Sequence, residues 1–71
     1  MIELLEGLYV DANCLQQVTI LGKQKPNKYV AKDKPYLVVV DTKFRSIGLF
    51  FETREEMINK AWELEDYLYN G

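Results

Sequence analysis

At 71 residues and 8.3 kDa the chain has the length of one small domain, 1–71. With 48% hydrophobic and 28% charged residues, its composition excludes a disordered chain, and its length leaves no room for a catalytic domain beside a regulatory one. The sequence has no histidine, which removes the commonest general base and the commonest metal ligand together, and Cys14 is its only cysteine, so no internal disulfide forms.

The net charge of −2 conceals a segregation of charge. Residues 1–21 hold Glu3, Glu6 and Asp11 and no basic residue, whereas residues 22–46 hold six lysines and Arg45 against Asp33 and Asp41. Residues 47–71 are acidic again, with Arg54 and Lys60 against five glutamates and Asp66. The pattern is an acidic body with a basic middle. Ala12–Gly22, the longest uncharged stretch, is too short and too polar for a bilayer span of about 20 residues. The first residues lack the basic start of a secretory signal. A lone thiol suits a reducing compartment, so the expected setting is cytoplasmic, away from any membrane.

In chain order, Ile2–Leu5 and Leu8–Val10 read as short extended pieces around Glu6-Gly7, with the glycine marking a bulge or bend. Asp11-Ala12-Asn13 reads as a turn, because Asp and Asn side chains bond their own backbone nearby. Leu15–Leu21 resumes the strand pattern, with Leu15 out of phase with Val18 and Ile20, and Gly22 ends it. Pro26-Asn27 fits the centre of a type I turn, from which Tyr29-Val30-Ala31 returns as a short strand until Asp33-Lys34-Pro35 breaks it.

The strongest β pattern comes next. Tyr36–Val40 and Ser46–Glu52 are β-branched and aromatic runs joined by a short polar connection, the pattern of an antiparallel hairpin. Ile47, Leu49 and Phe51 share one face and Gly48 and Phe50 the other, so both strands are partly apolar on both sides. Thr53-Arg54-Glu55-Glu56 is a capping box, and Met57, Ala61, Leu64 and Leu68 recur on one arc of the helix it opens. Asn70-Gly71 supplies a stop. Ile58, Trp62 and Tyr69 form a second apolar stripe on one flank. The expected fold is α+β: a small antiparallel sheet of about four strands with one C-terminal helix packed on a face.

Chemistry is sparse. Cys14 has no histidine to activate it and reads as a small buried hydrophobe beside a turn. The helix glutamates read as a solvated face, the four glycines are too isolated for a phosphate loop, and no acidic run has calcium-loop spacing. No enzyme, cofactor or metal is expected. Two surfaces remain. Lys23, Lys25, Lys28, Tyr29, Lys32 and Lys34 make a basic segment that suits an acidic protein, suits phosphates with a stacking tyrosine, or simply guards a sheet edge. Ile58, Trp62 and Tyr69 either complete the core over the sheet edge or serve self-association, a common remedy for a small core.

The leading expectation is a small non-enzymatic interaction protein of the regulator or inhibitor type, docking on another protein, itself a homodimer. Small proteins of that kind are frequent among phage and plasmid products. The alternative is a small nucleic-acid-binding regulator using residues 23–34. Low arginine content, Arg45 and Arg54 alone, weighs against sequence-specific reading.

Overall fold

In a computed structural model that describes residues 1–69, five strands and one helix follow in the order β1 (Ile2–Leu5), β2 (Leu8–Val10), β3 (Leu15–Lys23), β4 (Tyr36–Thr42), β5 (Ser46–Phe51) and α1 (Arg54–Tyr69). The class is α+β. The strands divide into two antiparallel sheets, β1–β2 by itself and β3–β4–β5, rather than one sheet of about four strands. Asn70-Gly71, the expected helix stop, lies outside the described residues.

β1 and β2 form a hairpin because Gly7 reverses the chain at φ +82°, a conformation that strains any residue with a Cβ. A single-turn 3-10 segment, Ala12–Cys14, follows; the Asp11 carboxylate caps it by accepting from the Asn13 N–H at 2.9 Å. In β3 the register shifts between Leu15 and Gln17, and that extra residue brings Leu15 back into phase with the core. The strand does not end at Gly22. The glycine, at φ +78°, sits at a second register shift, and pairing continues to Lys23, opposite Tyr36.

The β4–β5 hairpin runs in unbroken register from Tyr36–Phe51 to Asp41–Ser46. Its turn is braced by the buried Thr42 hydroxyl, which donates to Arg45 O at 2.9 Å and accepts from the N–H groups of Phe44 and Arg45. The α1 cap follows half of the expected box. Thr53 Oγ1 accepts from the Glu56 N–H at 3.2 Å, while the Glu56 carboxylate takes the Thr53 hydroxyl rather than the backbone N–H.

One face of the larger sheet, with Val38, Val40, Leu49 and Phe51, meets Met57, Ala61 and Leu64 of α1 and Ile2 and Leu4 of β1. Leu4, Val38, Val40, Leu49 and Leu64 are fully enclosed, each contributing about 1.5–3 kcal/mol by leaving water. The small hairpin therefore completes the layer that the helix begins, and Lys60 Nζ reaches Glu3 O at 3.3 Å across their junction. On the other face Leu37, Val39 and Phe50 are only half-buried. The apolar character of the strands is thus enclosed at Val38, Val40, Leu49 and Phe51 on one side and only partly covered on the other.

Candidate functional site

The basic segment is a closed loop, Gln24–Pro35, and Tyr29-Val30-Ala31 is not a strand within it. The reason is Asn27. Its side-chain oxygen accepts from the N–H of Tyr29 at 2.7 Å and of Val30 at 3.0 Å, so these amides are occupied locally and cannot enter a ladder. Asn27 N–H in turn donates to Val30 O, which centres the bend on Lys28-Tyr29, two residues beyond the expected Pro26-Asn27. A second turn is closed by Lys34 N–H to Ala31 O, and Gln24 N–H to Pro35 O at 2.8 Å joins the two ends. Val30, 8% exposed, is the loop's buried anchor, apart from the main core cluster. A loop of this length with joined ends and internal bonds has the build of an Ω-loop.

Lys25, Lys28, Lys32 and Lys34 are all exposed around that frame, and Lys23 is exposed at its entry. Tyr29 is 76% exposed, with the Lys28 ammonium 5.1 Å from its ring centroid. That distance is a cation–π contact, which holds the ring and the charge together as one unit. Asp33 is the single acidic residue between Lys23 and Tyr36. All six residues expected at this surface are therefore brought into one exposed, braced segment.

The helix stripe divides. Ile58 packs against the core, whereas Trp62 is 63% and Tyr69 80% exposed. Trp62 does not close over the sheet edge. It borders a shallow depression with Glu65, Asp66 and Tyr69, an apolar strip set in an acidic helix face.

A third surface was not legible as a site. Met1, Tyr9 and the turn residue Phe44, 83% exposed, surround a shallow cleft whose half-buried lining includes Val10, Cys14 and Ile47. The available signal was an aromatic residue at the tip of a short polar connection, where a tight turn holds it away from the core. Cys14 is half-buried in this lining rather than enclosed. Across the β1–β2 hairpin, a hydrogen bond to Glu3 raises the Tyr9 hydroxyl pKa above its ordinary 10.0, because the neutral phenol is the donor; charge on Glu3 adds to the shift. Among the described residues, no group of three or more Cys, Asp or Glu side chains is placed to hold a metal ion. No helix among the described residues is long and apolar enough to cross a membrane. Compared with known families, curated proteins and solved structures, the chain matches none.

Proposed function

We propose that this is a small non-enzymatic docking protein, of regulator or inhibitor type, that presents the Gln24–Pro35 loop to an acidic surface of another protein. The observation that carries this reading is the bracing of the loop. Lysine-rich segments that only keep a protein soluble need no fixed shape, yet here Asn27, Val30 and the Gln24–Pro35 bond hold the backbone while Tyr29 and the lysines face outward. A pre-ordered loop loses little conformational freedom on binding, which converts contacts into affinity more efficiently. An acidic protein is favoured over nucleic acid because the loop has no arginine and the molecule as a whole is acidic, which weakens attraction to a long polyanion.

The test is Lys25→Glu/Lys28→Glu/Lys32→Glu in the full chain. These side chains are exposed, so each change should alter stability by no more than about 0.5 kcal/mol. Like charge meeting like charge at an interface costs several kcal/mol, so a protein captured by the native chain should be lost by the variant. Capture that survives the reversal refutes the reading. Tight binding to duplex or single-stranded oligonucleotides, with affinity falling steeply as salt rises, would assign the loop to phosphates instead.

A further inference from the structure

The two edges of the larger sheet differ in how they are defended. β3 is interrupted by two register shifts, ends in Lys23 and leads into the lysine loop, all devices that discourage a neighbouring strand. β5, Ser-Ile-Gly-Leu-Phe-Phe, has no charge, no proline and no bulge, and among the described residues no strand lies on its outer side. Thr42 N–H donates to Arg45 O at 2.8 Å, so these two residues form a hydrogen-bonded pair. Bonded and non-bonded pairs alternate along an antiparallel ladder. Ile47, Leu49 and Phe51 therefore bond to β4, and the N–H and C=O groups of Ser46, Gly48 and Phe50 point to the open edge. Ser46 and Gly48 are correspondingly exposed.

We infer that this edge pairs antiparallel with β5 of a second copy of the same chain, making one continuous six-stranded sheet. The flanking charges choose the occupant and its direction. Lys43 and Arg45 precede the strand, and Glu52, Glu55 and Glu56 follow it. Antiparallel pairing of two copies sets the basic start of each strand beside the acidic end of the other, twice over; parallel pairing would set like charge against like. The side chains restrict the register further, since only alternate registers keep both core faces on one side. The register centred on Leu49 places Phe50 beside Gly48 of the partner subunit, large against small, and Arg45 beside Glu52 and Thr53 of the partner subunit. The two-fold axis stands perpendicular to the sheet, so both helices lie on the same side. The contact is independent of whatever the loop binds.

Sedimentation equilibrium and amide exchange on the full chain test it. A dimer is expected at micromolar concentration, with exchange of the Gly48 and Phe50 amides slowing as concentration rises. Gly48→Pro removes an outward N–H and no bond to β4, and the added Cβ meets the flexible Leu37 Cδ1 at 3.4 Å, so a folded monomer is expected. Should that variant fail to fold, the exposed charges decide. Arg45→Glu should weaken the dimer about tenfold or more, and Arg45→Glu/Glu52→Arg should restore it. A monomer at every concentration overturns the inference. So does a dimer that survives a folded Gly48→Pro, ignores Arg45→Glu, or dissolves only on Trp62→Ala, which would place the contact on the helix.

Discussion

Asn27→Ala is the most informative change to the loop frame, because it removes one oxygen and with it two hydrogen bonds, from the Tyr29 and Val30 N–H groups. Each bond contributes a net of about 0.5–1.5 kcal/mol. Two of them, with one donor part-buried, make local opening of the loop easier by about 1–3 kcal/mol, a factor of about 5–150 in the open population. The change should stay local, since Val30 lies outside the main core cluster. Amide exchange followed by NMR is the direct assay: Tyr29 and Val30 should exchange about 5–150 times faster while Val38 and Leu49 keep native rates. Asn27→Asp retains the acceptor and should preserve slow exchange. Partner affinity should fall with Asn27→Ala although no lysine has been touched. Unchanged exchange at Tyr29 and Val30 would refute the reasoning, because the side-chain oxygen would then not be what orders the loop.

Three further changes probe the helix, one at its cap and two at a buried and an exposed position. Thr53→Ala removes the acceptor for the Glu56 N–H and should cost about 1 kcal/mol, seen as a thermal midpoint lower by about 4–8 °C. Leu64→Ala opens a cavity at a fully enclosed position and should cost about 2–5 kcal/mol, whereas Trp62→Ala, on the exposed side of the same helix, should stay within about 0.5 kcal/mol in chemical denaturation. A large loss of stability from Trp62→Ala would mean that the ring is part of the core.

What could be read from the residues beforehand depended on whether local and long-range forces agreed. At Thr53–Leu68 capping chemistry and the spacing of Met57, Ala61 and Leu64 both favour a helix, and the helix forms there. At Tyr36–Phe51 two β-branched and aromatic runs meet around a short connection, and the hairpin follows. At Tyr29–Ala31 they disagree. The residues suit a strand, but Asn27 captures the amides that a ladder would need. Leu15 looked out of phase because a bulge is a property of a strand pair, and the partner, Thr42, is distant in sequence. The same holds for β1 and β2: Gly7 was legible as a bend, but whether the two pieces pair with each other or join the larger sheet is decided by packing of Ile2 and Leu4. For the candidate site, the lysines were countable while their bracing was not. The exposure of Phe44 required knowing that Thr42 holds a tight turn.

The hydrogen bond between Gln24 and Pro35 means that the sheet closes before the loop begins. Everything between those residues is, for the strands, an insertion whose content is free to change. Loop closure depends only weakly on length, with a doubling costing about 0.6 kcal/mol, so shortening or lengthening this segment would disturb the β3–β4 pairing little. Asn27 and Val30 then belong to the inserted piece and carry its shape with them. Under the docking role proposed for the loop, a scaffold arranged this way separates the recognising segment from the fold beneath it, and a designer can graft a different peptide between the same two residues.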